Sequence, residues 1–482
     1  MSRLLLCSLA LVALLAGCSR KENKAEVRWR FLGGRVLQTQ TNAPALKEVL
    51  NLPEITALST PLANQLIRSW WSLGKATGEP SAAALADGRN LVQDLIQQLS
   101  IGEVFIGEGG RREFALAIQV PANRTSLWEH SWPAWIQALN SARGVAAGTA
   151  KPAVVRKDVW LVAVSDTSVL SADDAMRHLA AYPPETGALL QFETALPEVP
   201  PTKVSFVTTN GNVRVMATAQ TPKTLPSSLP DWDLPGFIRE PMIQFTAARG
   251  IDALTAGWIK PEDAPGGSWP NQLFIWGQPN INMRFPFAVA QVDNPQAHLD
   301  HLFKKYQPFF APAATQPRYM GQLLRETNLL TIAGGVPGAP TLQAEQEKKP
   351  LLTFGVVPLI RTTNPPSAGM IAQMSKPNVM YYDFEFTSEA ISQWNAFLQL
   401  GDLLEGRTGI MTYPGTQWLL AARPKLGECV TVITKEGDQK LQLIRKSPIG
   451  LSGLELTALS RWLDPKPPLR RMMTNSPVRP KK

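Results

Sequence analysis

Phe114-Ala115-Leu116-Ala117-Ile118-Gln119-Val120-Pro121-Ala122-Asn123 opens on an apolar run, turns a proline corner and leads into a helical pattern carrying Leu127 and Trp128. A second copy of that order is Phe287-Ala288-Val289-Ala290-Gln291-Val292-Asp293-Asn294-Pro295, ahead of Leu299, Leu302, Phe303 and Tyr306 at helical spacing. A third, looser one spans residues 382–386, then Ser388, then Ile391, Trp394 and Leu398. Each reads as an apolar strand, a corner and an amphipathic helix. Their recurrence points to two or more related strand-and-helix lobes.

Hairpin signals surround these copies. Residues 103–106 and 114–120 flank a turn at Gly107-Glu108-Gly109-Gly110, and Asn210-Gly211 separates residues 204–209 from 213–217. Residues 428–434 and 439–445 flank Lys435-Glu436-Gly437-Asp438. Val27, Trp29 and Phe31 alternate with Arg28 and Arg30, the period of a half-buried strand. Adjacent hairpins imply antiparallel pairing. We therefore expect an α+β fold of mainly antiparallel sheets with helices packed on one face, in two related lobes at 26–235 and 236–463. The boundary falls where Pro222, Pro226, Pro230, Pro235 and Pro241 interrupt any regular pattern. Residues 333–350 read as an exposed loop. Ser452 and Glu455 have the spacing of a capping box for a last helix that ends before Asp464-Pro465.

The chain starts with one basic residue, Arg3, and an apolar stretch ending in small residues, the anatomy of a signal peptide over 1–17. That stretch is shorter than the roughly 20 residues needed to span a bilayer. Leu15-Ala16-Gly17-Cys18 resembles the lipobox of bacterial lipoproteins, and the resemblance covers the targeting segment only. It implies cleavage after Gly17, lipid on Cys18, and residues 18–25 as a lipidated tether. Stable anchoring takes more than one acyl chain, which fits acylation at both the thiol and the new amine. Ser19, in place of aspartate after the cysteine, implies passage to the outer membrane in a cell that has two, with the body facing the periplasm.

Lysine and arginine number 48 against 39 acidic residues, a net charge of +9, and the excess sits at the ends. Residues 20–30 hold five basic and two acidic side chains, residues 464–482 hold six and one, and 31–463 are close to neutral. A nucleic-acid protein carries its basic face on the folded body, so that class is set aside. The cationic ends suit an envelope polyanion or anionic lipid, or simply keep two linkers soluble. The tail 464–482, basic and rich in proline, is expected to be disordered.

Of three cysteines, Cys7 leaves with the signal peptide and Cys18 takes the lipid, so Cys429 can form no internal disulfide. It lies in a strand-like run and reads as a small buried hydrophobe. Ser72-Leu73-Gly74-Lys75 has the Ser-x-x-Lys spacing of penicillin-recognising enzymes, but lacks their companion motifs. His298 and His301 could share a metal; the core stripe of their helix would instead put both on a solvent-facing flank. Asp383 and Glu385 alternate with Tyr382, Phe384 and Phe386, which reads as a solvated strand face. Trp128, Trp132 and Trp135 recur at helical spacing, with Pro133 set to kink or restart that helix, and read as core. No catalytic, cofactor or metal motif stands out. The layout is similar to uncharacterised bacterial envelope lipoproteins, which implies a membrane-anchored, non-enzymatic binding or scaffolding role; a lipid carrier and an envelope hydrolase are the alternatives.

Overall fold

The computed structural model describes residues 25–464, apart from 108–109, 147, 197–199, 222–223, 252–269, 280–285, 311–321, 334–338, 346–348, 356–363 and 405–412. Residues 112–118, the heart of the first strand-corner-helix copy, are buried along their whole length. A strand with one wet face alternates in burial, so this one must be covered on both faces.

The first half of the chain supplies β1 (Ala25–Phe31), β2 (Ser100–Ile106), β3 (Arg112–Ile118), β4 (Ala153–Lys157), β5 (Trp160–Val164), β6 (Ala188–Thr194), β7 (Thr202–Thr209) and β8 (Asn212–Gln220). The second supplies β9 (Gln244–Arg249), β10 (Gln272–Gly277), β11 (Phe287–Gln291), β12 (Gln322–Arg325), β13 (Leu329–Ala333), β14 (Thr341–Glu345) and β15 (Leu351–Gly355). Then come β16 (Val379–Phe386), β17 (Glu428–Lys435) and β18 (Lys440–Ser447). Among the described residues all 18 strands join one antiparallel sheet. The pairings give the order β4-β5-β3-β2-β1-β6-β7-β8-β18-β17-β16-β9-β10-β11-β15-β14-β13-β12. The halves meet at β8 and β18, paired from Lys440 opposite Gln220 to Ser447 opposite Val213. Outward from this seam one half runs β8, β7, β6, β1, β2, β3 and the other β18, β17, β16, β9, β10, β11.

The helices are α1 (Gly34–Leu37), α2 (Pro44–Leu50), α3 (Ile55–Leu73), α4 (Ala82–Gln97), α5 (Thr125–Ala142), α6 (Ala172–Ala180) and α7 (Pro295–Phe310). They continue with α8 (Ala368–Met374), α9 (Thr387–Leu404), α10 (Pro414–Ala422) and α11 (Gly453–Leu463). All three strand-corner-helix copies are present, as β3 to α5, β11 to α7 and β16 to α9. Helix α5 runs through Pro133, held by Trp128, Trp132 and Trp135, which are buried against Phe114, Leu116 and Ile118.

Helices lie on both faces of the sheet, which corrects the expectation of one. Phe114 and Leu116 of β3 point to α4 and α5, whereas Ala115 and Ala117 pack with Ala175 and Leu179 of α6 on the other side. In the second half Leu299 of α7 packs with Ala344, while Phe245, Phe274 and Phe287 meet α8 on the opposite face. The physical reason is composition: strands apolar on both sides must be covered twice. The expected loop at 333–350 is also corrected in part. Thr341–Glu345 is β14, paired on both sides, with Ala344 in the core.

Candidate functional site

Two arrangements stand apart from the apolar core: a cluster of polar side chains and a surface that no described residue covers. The cluster lies where β16 crosses the middle of the sheet. Arg445, Thr431, Asp383 and Thr246 stand in register across β18, β17, β16 and β9, on the face covered by α9 and α11. The next row is Cys429, Glu385 and Gln244. Alternation puts both rows on one side of the sheet.

The hydrogen bonds are specific. Thr246 Oγ1 donates to Asp383 Oδ1 at 2.6 Å, and Arg445 Nε donates to Thr431 Oγ1 at 2.9 Å. The Arg445 guanidinium also pairs with Glu455 of α11, both side chains being only 11% and 13% exposed. Glu455 in turn accepts from the Ser452 backbone N–H at 2.9 Å, completing the capping box anticipated from the spacing. Glu385 Oε1 accepts the Gly453 N–H at 2.5 Å and the Thr387 hydroxyl at 3.2 Å. A strand carboxyl is thus bonded to the first turn of the last helix.

This corrects the reading of Asp383 and Glu385 as a solvated face: Glu385 is 3% exposed. Burial pushes its carboxyl up, to about 8, and the Asp383 charge beside it adds to the rise. Burial likewise raises Asp383, to about 6, against the Thr246 hydrogen bond. Burial works against the Arg445 charge, but Glu455 and the other acidic groups nearby together more than offset it, so the guanidinium stays firmly protonated. Cys429 is buried as expected, and burial lifts its thiol well above its ordinary value. Among the described residues the cluster is tied across the strands by Thr246–Asp383 and Arg445–Thr431, and to the first turn of α11 by Glu385 and Arg445.

No family model, curated protein or solved structure matches the chain.

The remaining candidates are not assembled. Ser72 is exposed near the end of α3, and Lys75 comes after it with a φ of 59°, beyond the helix. His298 corrects the expectation for its helix, being buried rather than on a wet flank. Burial, with His301 nearby, lowers its pKa, so it sits neutral. Among the described residues no group of three or more His, Cys, Asp or Glu is placed to hold a metal ion. Cys18, Ser19 and the basic tail from residue 465 lie outside the described residues, as do Glu108 and Gly109 of the first turn. No helix among the described residues is long and apolar enough to cross a membrane.

The uncovered surface is on the reverse of the sheet. There α6 covers the β2-β3-β5 region and α8, with residues 232–242, covers β9 to β11. Among the described residues Val207, Met216 and Ile444 on β7, β8 and β18 are half-buried and belong to no core cluster. Arg214 and Lys446 are direct cross-strand partners and both exposed. Beside them a cleft of about 370 Å³ is lined by residues of β16, β17 and β18 and of the segment before β16, among them Lys376, Val432, Thr434, Glu436 and Ile444. Sequence reasoning missed this surface because it depends on which strands meet at the seam.

Proposed function

We propose that the chain is an envelope lipoprotein, anchored through lipid on Cys18, whose body binds a partner across the uncovered stretch of the sheet and catalyses nothing. The observation that carries this reading is the contrast between the two sites. The chemically active side chains are turned inward under α9 and α11, while β7, β8 and β18 offer half-buried valine, methionine and isoleucine beside two exposed cations, with no described residue over them. An uncovered patch rimmed by polar groups is the ordinary form of a protein contact surface. In a two-membrane cell, Ser19 favours the outer membrane and the periplasmic side.

The shared strand order of the two halves favours two related lobes, 26–235 and 236–463, joined edge to edge at β8 and β18. The carrier alternative is favoured less, because the space between sheet and helices is filled by side chains such as Trp128, Trp132, Trp135 and Phe114.

Changing Cys18→Ala tests the anchor. The protein should move from the membrane to the soluble fraction, and its intact mass should lose the acyl groups. An unchanged distribution, or a bare thiol in the natural protein, would defeat the lipoprotein reading. Turnover by the purified protein in a hydrolase screen would defeat the non-enzymatic part.

A further inference from the structure

Three carboxyl groups, Asp383, Glu385 and Glu455, lie near one guanidinium in a largely buried space: Arg445 pairs with Glu455 and stands in the same cross-strand row as Asp383, with Thr431 between them, while Glu385 occupies the next row. Fully ionised, three negative charges would face one positive charge. The N-terminus of α11 contributes only about half a positive charge more. Like carboxylates sharing a poorly solvated site cannot all ionise near neutrality, so the cluster retains a proton.

The groups around that proton come from every element that meets there. Strand β16 supplies Asp383, Glu385 and the Tyr381 phenol; β18 supplies Arg445; β17 supplies Thr431 and the Cys429 thiol. Gln244 and Thr246 come from β9, Thr387 begins α9, and Glu455 belongs to α11. Burial raises the Tyr381 phenol and the Cys429 thiol, which keeps both neutral and leaves the carboxyls as the groups that titrate.

We propose that this cluster is a proton-loaded latch: α11 stays seated on the sheet while the carboxyls share a proton, and loosens as that proton passes to solvent at alkaline pH. The helix is held at two points of the cluster, through the Gly453 N–H on Glu385 and through Glu455 on Arg445. Losing the proton adds a negative charge on the strand close to Glu455 on the helix, whose ion pair is with Arg445. A Cβ at Gly453 would lie 3.0 Å from the Ala390 Cβ, so the start of α11 is also pressed against α9, and movement there opens the layer above Cys429.

Cys429 reports the opening, because it stands directly opposite Glu385 and is fully buried. The full-length protein extracted from membranes would be labelled with N-ethylmaleimide and the Cys429 peptide quantified by mass spectrometry, normalised at each pH to the urea-unfolded chain. Release of one proton on opening changes the equilibrium by up to about tenfold per pH unit, so normalised labelling should rise at least about tenfold between about pH 6 and about pH 8.5. Glu385→Gln keeps an oxygen for the Gly453 N–H but cannot ionise, and should reduce that rise to less than about threefold. Asp383→Asn should also flatten it, and carries the comparison if Glu385→Gln does not fold. Flat labelling in the natural protein would overturn the latch. So would a rise in the folded variants as steep as in the natural protein.

Discussion

Replacing Gly102 with alanine tests the packing of the first half of the sheet. Gly102 of β2 faces Trp29 of β1 in register, and the indole lies across it. A methyl group there would fall on Trp29 Cζ2, Cη2 and Cε2, far inside van der Waals contact with all three. The ring has no easy retreat: its centroid is 6.2 Å from that of Trp70, which is 6.0 Å from that of Trp135. Overpacking of this kind costs about 1–3 kcal/mol, and disturbing the aromatic contact adds about 0.5–1.5 kcal/mol, so a loss of about 3 kcal/mol is expected. The described body runs over about 440 residues. At about 2.1 cal/mol/K of unfolding entropy per residue, 1 kcal/mol moves the melting midpoint by about 1 °C, so scanning calorimetry should show a drop of about 3 °C. In a Trp29→Val background the clash is gone, and the same glycine change should cost less than about 1 kcal/mol. Equal losses in both backgrounds would refute the account.

Two further outcomes concern the buried cluster. Arg445→Met leaves Glu455 and the strand carboxyls without their cation and should destabilise the protein by about 3–5 kcal/mol in a urea titration; a loss below about 1 kcal/mol would mean that the pair is dispensable. Because Asp383 and Glu385 have raised pKa values, about 6 and about 8, the folded chain binds more protons than the unfolded chain above the ordinary carboxyl values. Their contribution to stability is therefore full below about pH 4, falls as pH rises and is gone above about pH 8. Urea midpoints measured at about pH 5 and about pH 8 should decrease across that interval; an increase would contradict the sign.

The strands and their helices are legible in the sequence where one local rule decides them. Asn210-Gly211 makes the β7-β8 turn, with Asn210 and Gly211 both at positive φ. Ser452 and Glu455 make their capping box, because both partners lie within one helical turn. Glu385 and His298 mislead for a shared reason. The apolar stripe of its own element gives each a wet side, but burial is set by a second layer that a single element does not reveal. For Glu385 that layer is α9 and α11; its partner Gly453 lies 68 positions away. The one signal in the sequence is β3, whose unbroken apolar run already implies a sheet covered on both faces. The uncovered stretch of β7, β8 and β18 is not legible at all, since it arises where the ends of the two halves meet.

A sheet of 18 strands in a single row has, among the described residues, just two free edges. They are β4, five residues long and carrying Arg156 and Lys157, and β12, four residues long and ending at Arg325. Short, charged borders are poor templates for another chain's backbone. However wide the pleated surface grows by adding hairpins inside the row, the length of backbone open to polymerisation stays the same, so a protein crowded onto a surface can be broad without becoming sticky.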